Sequence, residues 1–372
     1  MTMTLRSSLI TAALIALALG TTACALTPPV LTPPTASPVP TETVAPDPVA
    51  ASGTRPHART TAGCADLTNP GQVAPLFTEH VTLVGPTRTA EYIGAAIADE
   101  YGIRQAGGVA CEWMSEFSQV TSEGRFEYDG IRLQLLPVTS DQWGLYSDAV
   151  AGGTGQYLAC DESGCQFDRY TSNGWWLSLY AEWTINRTAA ESTAVATPVF
   201  TAITATIEGL AQPTTPWEAP TPTIAIGSGC DDVITSAQLL AAVGLSGTSD
   251  SEALSYPSIS STASSITGAS DCRWLEPDHF TDLVSIQLLP GGDWAEQDAR
   301  QAITDIGAAP PTVAIPGLAD PAPLYHHVDF TSIDVNLGGN WIKVGCWEGL
   351  TIGGHHADQI VASVAAAIVA AH

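Results

Sequence analysis

The chain has 372 residues, of which 45% are hydrophobic, and this is enough for two domains with ordinary cores. Its 38 acidic and 12 basic residues give a formal net charge of −26, which makes nucleic acid a poor partner because the phosphate backbone would be repelled. Lys343 is the only lysine, and this disfavours sites that need a lysine, such as a phosphate-binding Gly-Lys-Thr loop or a Schiff base.

The first 24 residues have the pattern of an export signal. Arg6 precedes the apolar stretch "LITAALIALALG", which is too short to span a bilayer, and "TTACA" follows. This resembles a bacterial lipobox, in which Cys24 is acylated and becomes the first residue of the mature protein, although Thr21 departs from the usual leucine. The alternative is cleavage at an Ala-x-Ala site around Cys24, which releases a secreted protein. Both interpretations place the protein outside the cytoplasmic membrane.

Two proline-rich stretches divide the rest of the chain. Residues 25–63 carry few large apolar residues and are predicted to be a disordered tether. A second stretch at 212–223, "QPTTPWEAPTPT", is predicted to be a linker. The boundaries leave two blocks of similar length, 64–211 and 224–372.

The two blocks repeat the same landmarks in the same order. The paired segments are "GCADL" and "GCDDV", "ACEW" and "DCRW", "LQLLP" and "IQLLP", and "NGWWLSL" and "GGNWIKV". So many matches in register predict a tandem duplication.

The repeated segments predict an α+β fold in each block. Apolar residues alternate with polar ones in "IRLQLLP" and "DLVSIQLLP", the period of a half-buried strand. "SIDVNLGGNWIKVGC" is predicted to be a hairpin that turns at Gly338 and Gly339. We expect two homologous domains, each an antiparallel sheet with helices packed on one face.

Helix boundaries follow from capping residues. Ser236 is the predicted N-cap of "SAQLLAAVGL", and Gly244 lies just past its end. Thr197 and Pro198 are predicted to begin the last helix of the first block, since proline is favoured at the first helical position.

Seven cysteines follow Cys24, and an exported chain uses such residues for disulfides. The duplication pairs Cys64 with Cys111 and Cys230 with Cys272. Cys160 and Cys165 flank the short turn "DESG" and are predicted to bridge a hairpin. Cys346 remains, and we expect it to be a buried thiol.

Sites for metals and catalysis have weak support in the sequence. Two histidine doublets, His326-His327 and His355-His356, could form a metal site with Asp329 or Asp358. Adjacent residues on a strand point to opposite faces, and the usual metal-binding motifs are missing, so no metal or other cofactor is predicted. The abundant carboxylates single out no pair, and no catalytic residue is predicted.

Tryptophans offer a clearer functional indication. Those at duplicated positions are predicted to be core residues: Trp113, Trp143, Trp274, Trp294 and Trp341. The unmatched aromatic residues are freer to form a binding surface, and the predicted set is Trp175, Trp183, Trp347, Tyr180 and Tyr325, with Trp217 also unmatched.

The unit "GC…SAQLLAAVGL…CRW…", followed by "IPGLADPA" and a tryptophan-bearing hairpin, resembles actinobacterial exported lipoprotein domains of unknown function. It is also similar in plan to the extracellular sensor domains of certain Ser/Thr kinases. Residues 230–371 carry the resemblance best, although Ala319 replaces a usual glycine. The first copy lacks that turn motif and adds Cys160 and Cys165. The resemblance implies a binding or sensing role in the cell envelope.

The leading hypothesis is a lipoprotein tethered to the outer face of the cell membrane that binds a small molecule, a wall polymer or an envelope protein. The alternatives are a secreted wall hydrolase and a purely structural envelope protein. An enzyme is expected to gather polar groups in one deep pocket. A binding module is expected to have an apolar-aromatic groove between sheet and helix or between the copies.

Overall fold

The structure of the protein is a computed structural model, and residues 51–372 form one compact unit. The described residues are 55–77, 97–114, 119–120, 126–127, 129–150, 153, 155–183, 185, 187–246, 251–253, 257–275, 282–305, 309–326, 330–347, 349–352 and 354–372. The predicted signal segment, Cys24 and most of the predicted tether lie outside them. Residues 55–63 are described and contact the folded part, since Arg59 N–H donates to Gly107 O at 2.8 Å.

The first half, residues 64–211, contains a five-stranded antiparallel sheet in the order β1-β4-β7-β6-β5. Its strands are β1 (Val109–Met114), β2 (Gln119–Val120), β3 (Phe126–Glu127), β4 (Gly130–Pro137), β5 (Gln156–Cys160), β6 (Gly164–Tyr170) and β7 (Trp175–Glu182), with β2 and β3 paired separately. Its helices are α1 (Cys64–Leu67), α2 (Pro70–Val73), a 3₁₀ turn (Ala74–Leu76), the π-helical α3 (Ile97–Gly102), α4 (Ile103–Gln105), α5 (Ser140–Ala149) and α6 (Ala189–Glu208).

The second half, residues 224–372, contains a seven-stranded antiparallel sheet in the order β11-β12-β13-β14-β10-β9-β8. Its strands are β8 (Ser251–Ala253), β9 (Ser270–Leu275), β10 (Asp282–Leu289), β11 (Thr312–Val313), β12 (Ala322–His326), β13 (Phe330–Leu337), β14 (Asn340–Trp347) and a separate pair, β15 (Thr351–Ile352) and β16 (His355–His356). Its helices are α7 (Cys230–Val233), α8 (Ser236–Ala242), α9 (Ile259–Thr267), α10 (Asp293–Asp305) and α11 (Ala357–Ala371).

The two sheets share a common five-strand order, which confirms the predicted α+β class. Strands β1, β4, β7, β6 and β5 correspond in order to β9, β10, β14, β13 and β12, while β8 and β11 have no counterpart among the described residues of the first half. The inward residues are the predicted ones: Leu133 and Leu135 on β4, and Ile286 and Leu288 on β10, are all buried. Together with α6 or α11, these side chains form the main core of each half.

Each sheet also carries helices on its second face, which the sequence did not predict. There α5 places Trp143 against Trp176 of β7, with ring centroids 5.2 Å apart. In the second half α10 places Trp294 in a cluster with Trp341 of β14. The tryptophans at duplicated positions are therefore core residues, as expected, and those at 143, 176, 294 and 341 fill the second face rather than the main core.

Helices that precede equivalent strands are exchanged between the halves. The α3–α4 segment precedes β1, but its Tyr101 ring packs on Trp294 and Trp341 of the other half, at centroid distances of 5.8 and 5.0 Å. In return α9 precedes β9, but its Ile259 and Ala263 pack in the cluster around Trp143 and Trp176. Each half thus completes the second face of the other.

Polar contacts reinforce this joint. Trp294 Nε1 donates to Gln105 Oε1 at 3.0 Å, and Gln105 Nε2 donates to Pro290 O at 2.8 Å. Arg104 of α4 pairs with Asp298 of α10 at 2.9 Å. Because Gln105 is buried and both of its amide atoms are bonded across the joint, it fixes the position of one half on the other.

Two predicted helix starts differ from the structure. Helix α6 begins at Ala189, with Thr188 as its N-cap, because Thr188 and Glu191 form a capping box upstream of the expected site. Pro198 therefore lies inside the helix rather than at its first turn. Helix α8 is capped by Thr235 rather than Ser236, since Thr235 accepts a hydrogen bond from Gln238 N–H.

The predicted disulfides are confirmed. Cys64 is bonded to Cys111, Cys160 to Cys165 and Cys230 to Cys272, while Cys346 is a buried thiol that takes part in no disulfide. The first and last of these disulfides occupy the same place in the two halves, where each joins a short helix to the strand that bears the Cys-x-Trp motif. Within the described part of the chain, no helix is long and apolar enough to cross a membrane.

Candidate binding groove

An apolar groove of about 220 Å³ lies between the edge strand β5 and helix α6 in the first half. We call it the edge groove. Its aromatic floor is formed by Phe167 and Phe200, with ring centroids 5.5 Å apart, and Leu158 of β5 lies beside them. The remaining lining residues are Gln156, Arg169, Thr197, Thr201, Thr204, Ala205 and Glu208. The groove is thus bounded by the sheet on one side and by helix α6 on the other.

The helical wall of the edge groove contains three threonines whose hydroxyls are already bonded. Thr197, Thr201 and Thr204 each donate to the carbonyl four residues earlier in α6, at 2.7 Å. A side-chain hydroxyl bonded in this way needs no partner from a ligand. The threonine hydroxyls of this wall therefore do not require hydrogen bonds from a ligand, which favours an apolar occupant.

One end of the edge groove is charged. Arg169 of β6 pairs with Glu208 of α6 at 2.6 Å, and its guanidinium also donates to Gln156 Oε1 at 3.1 Å. Both charged side chains are more than a third exposed, so the ion pair contributes at most about 1 kcal/mol to stability. Its arrangement leaves a polar rim around an apolar floor, as is usual in ligand-binding sites.

The second half has the same site, but the chain itself fills it. Leu324 pairs with Ile333 as Leu158 pairs with Phe167, and α11 takes the place of α6. Strand β11 pairs with the outer edge of β12, and Ile315, two residues further on, is buried in the core of that half. The corresponding edge of β5 pairs with no strand among the described residues.

Gly317 shows how closely this filling segment passes helix α11. The residue has φ +94°, and a Cβ atom built there would lie only 2.7 Å from Val369 Cγ1. Glycine is therefore required both by its backbone conformation and by the lack of space. The "IPGLADPA" motif thus belongs to the segment that closes the second groove.

A second cavity, of about 380 Å³, lies near the joint between the halves. Most of its lining comes from the first half: Pro137, Val138, Thr139, Gln142, Tyr170, Ser172, Asn173 and Gly174. Arg59 precedes that half, Gln212 and Pro213 follow it, and Ile266 comes from α9. Arg59 Nε donates to the main-chain carbonyl of Thr214, at 2.5 Å. This bond engages part of the guanidinium, the single charged group of the lining.

Both halves bury an aspartate at the same position on the second face of the sheet. Asp334 of β13 accepts a hydrogen bond from Lys343 Nζ at 2.5 Å, and both residues are at most 3% exposed. Asp168 of β6 instead accepts from Tyr146 Oη at 2.7 Å and Trp176 Nε1 at 3.0 Å. The sequence prediction missed this pair, although register across the duplicated strands would align them.

The buried ion pair of the second half has further titratable neighbours. Glu296 of α10 is buried and bonded to Arg300, and burial raises the pKa of its carboxyl although Arg300 opposes this shift. The Lys343 ammonium lies 5.1 Å from the centre of the Tyr325 ring, and burial raises the pKa of that phenol. Because Lys343 is paired with Asp334 and Glu296 with Arg300, we assign these groups to the scaffold.

The predicted aromatic binding surface is not brought together. Trp175, Trp183 and Tyr325 are buried, with exposed fractions of 0%, 4% and 6%. Tyr180 and Trp347 are exposed at 42% and 51%, but they lie on different sheets. Lack of a duplicated counterpart was therefore a poor guide to exposure, because residues unique to one half also fill its core.

Of the histidine doublets, His326 lies 3.6 Å from Asp358, between Nδ1 and Oδ1, on the surface. His327 and Asp329 lie outside the described residues. Among the described side chains, no group of three potential metal ligands is found.

No family model matches the chain, and no curated protein or solved structure matches it.

Proposed function

We propose that this chain is an exported binding protein of the cell envelope that takes its ligand in the edge groove. The observation that carries the proposal is the contrast between two equivalent sites. One is filled by the chain itself, whereas the other presents Leu158, Phe167 and Phe200 around a volume of about 220 Å³. Burying these apolar atoms against a ligand is favourable, which gives the groove a driving force for binding.

Export is supported by three disulfides among the described residues. Such bonds form and persist in oxidising surroundings and are rare in the cytosol. We further propose that Cys24 carries the lipid that holds the protein at the outer face of the membrane. The resemblance of residues 230–371 to exported lipoprotein domains favours this location and a binding or sensing role.

The test of binding places a photo-reactive benzoylphenylalanine at Thr201, in the wall of the edge groove, in cells that export the full chain. The matched control places it at Ala202, which is also exposed on α6 but lies outside the lining. Irradiation of intact cells should give a covalent adduct at position 201 and none at position 202. Equal labelling at both positions, or none at either, would contradict the proposal.

The test of anchoring is the variant Cys24→Ala. Without a thiol to acylate, the protein should move from the membrane fraction to the soluble extracytoplasmic fraction. Retention of the variant in the membrane fraction would contradict lipid attachment at this residue while leaving the groove proposal intact.

A further inference from the structure

The alternation of hydrogen bonds along the β5–β6 hairpin shows which backbone groups face the open edge. Asp161 N–H bonds to Gly164 O at one end, and Tyr170 N–H bonds to Gly155 O at the other. Bonded and non-bonded pairs alternate in an antiparallel ladder, so Leu158 and Phe167 form a non-bonded pair. The N–H and C=O of Leu158 therefore point away from β6, toward the edge that no described strand occupies.

The side chain and the backbone of Leu158 serve the same site. Its side chain lies on the α6 side of the sheet and lines the edge groove. In antiparallel sheets, residues directly opposite each other place their side chains on the same face. A strand added beside β5 would therefore bond to Leu158 and direct the side chain opposite it into the groove.

The second half contains this arrangement already assembled. Leu324, the counterpart of Leu158, donates its N–H to Pro311 O at 2.8 Å, and Val313 lies opposite Ala322 in the antiparallel β11–β12 pair. Val313 and Leu318 pack against the core cluster that contains Ile315. The occupant of this groove is an extended segment with aliphatic side chains at alternate positions.

The lengths of the connections explain why the residues between α5 and β5 do not provide such an occupant. Helix α10 and β12 are joined by residues 306–321, sixteen residues that include β11. Helix α5 and β5 are joined by residues 150–155, only six residues. In the second half eight residues, 314–321, join β11 to β12, so a connection of six residues is too short to supply both an added strand and its return to β5.

We propose that the edge groove binds an extended polypeptide segment of another protein, which adds to β5 as an antiparallel strand with an aliphatic side chain opposite Leu158. This inference rests on the proposed function and names the class of ligand. Main-chain hydrogen bonds to the edge supply affinity, and the pocket over Phe167 and Phe200 selects the side chain.

Charge favours a neutral or basic segment from a different protein over a second copy of this chain. Each copy carries −26, so edge-to-edge pairing of two copies brings together two strongly negative proteins. Asp161 and Glu162 lie in the turn at one end of β5, and hydrogen bonds from Ser163 and Gly164 lower the pKa of Asp161. A cationic residue flanking the aliphatic core of the bound segment would meet these carboxylates.

The test titrates the full chain with synthetic peptides by calorimetry, up to millimolar concentration. The first probe carries residues 309–320 of this chain, flanked by lysines, and a panel replaces Val313 or Ile315 in it by Leu, Phe or Asp. We expect the aliphatic peptides to bind and the Asp peptides to fail. Thr201→Trp, which fills the groove, should abolish binding, whereas Ala202→Trp should leave it unchanged.

Two comparisons separate strand addition from simple apolar contact. Leu158→Pro removes the outward N–H without removing a hydrogen bond to β6, and should weaken binding about tenfold more than Leu158→Ala. Pro311, which pairs with Leu324 and so with Leu158, has no N–H, and the second comparison therefore uses a peptide with Pro311→Val. N-methylation of that residue should weaken binding about tenfold, while N-methylation at Thr312 should be tolerated.

Several results would overturn the inference. Failure of every aliphatic peptide would do so, as would equal losses for Leu158→Pro and Leu158→Ala together with no dependence on the N-methylated position. Sedimentation that shows a dimer of the full chain, lost in Leu158→Pro, would identify a second copy as the occupant. A lipid or glycan adduct at position 201, without peptide binding, would leave the proposed function standing and remove this one.

Discussion

The two halves of the molecule share a sheet, a disulfide and a buried aspartate, but differ at one edge. In the second half the segment of residues 311–318 pairs with the outer edge of β12 and places Ile315 in the core, whereas in the first half Leu158, Phe167 and Phe200 surround a groove. A duplicated fold can thus keep one copy closed and open the other by shortening a single connection. The difference locates the proposed binding site without any catalytic motif.

The buried ion pair gives the largest test of this comparison. Lys343→Met leaves Asp334 charged and buried, and should lower the free energy of unfolding by about 3–5 kcal/mol. In the first half, Tyr146→Phe removes one of several donors to Asp168 and should cost about 1.5–3 kcal/mol. Denaturant titration measures both. The double variant Lys343→Met/Asp334→Leu should recover most of the loss, and no recovery would contradict the charge explanation.

Equivalent disulfides should contribute equally. Removing Cys64–Cys111 or Cys230–Cys272 by paired alanine substitutions opens loops with sequence separations of 47 and 42, and each should cost about 3–4 kcal/mol. Cys160–Cys165 has a separation of 5 and should cost about 2 kcal/mol. Thermal unfolding at fixed protein concentration provides the comparison. A large difference in the free energy lost between the first two variants would show that the two halves depend on these disulfides to different extents.

Filling and emptying the two grooves should have opposite consequences. Ile315→Ala leaves a cavity in the closed groove of the second half and should cost about 2–4 kcal/mol of stability. Thr201→Trp projects into the open groove from an exposed helical position and should change stability by no more than about 0.5 kcal/mol. Denaturant midpoints measure both effects. A loss for Thr201→Trp as large as that for Ile315→Ala would mean that the first groove is already occupied.

A smaller effect concerns pH. Because burial raises the pKa of Glu296 above its ordinary value of 4.5, the protonated form favours the folded state. Its contribution is present below pH 4.5 and is lost as pH rises through the folded-state pKa. Wild type should therefore lose stability relative to Glu296→Gln as pH rises toward neutrality. The equivalent position in the first half, Leu145, is 78% exposed, and Leu145→Gln should leave the pH dependence unchanged.

Much of the fold could be predicted because duplication supplied a second copy of each signal. The repeated Cys-x-Trp and Leu-Leu-Pro segments fixed the disulfide pairs and the central strands. Features present in only one copy were a weaker guide. Pro198 suggested a helix start, but α6 begins earlier, at the capping box of Thr188 and Glu191, and Pro198 lies inside the helix.

The site itself could not be predicted from residue types. Trp175 and Trp183 were expected at the surface, yet both are buried. The edge groove depends instead on an edge of β5 that no described strand occupies, and such an open edge has no sequence motif of its own. The signal lay in the unequal lengths of two equivalent connections, residues 150–155 and 306–321.

Hydrogen exchange at the two equivalent leucine amides tests the central claim most directly. The Leu324 amide is bonded to Pro311 O, so it should be strongly protected. The Leu158 amide should exchange rapidly in the free protein and become protected when the peptide of residues 309–320 is added. Equal protection of both amides without peptide would contradict the claim that the first half presents an open edge.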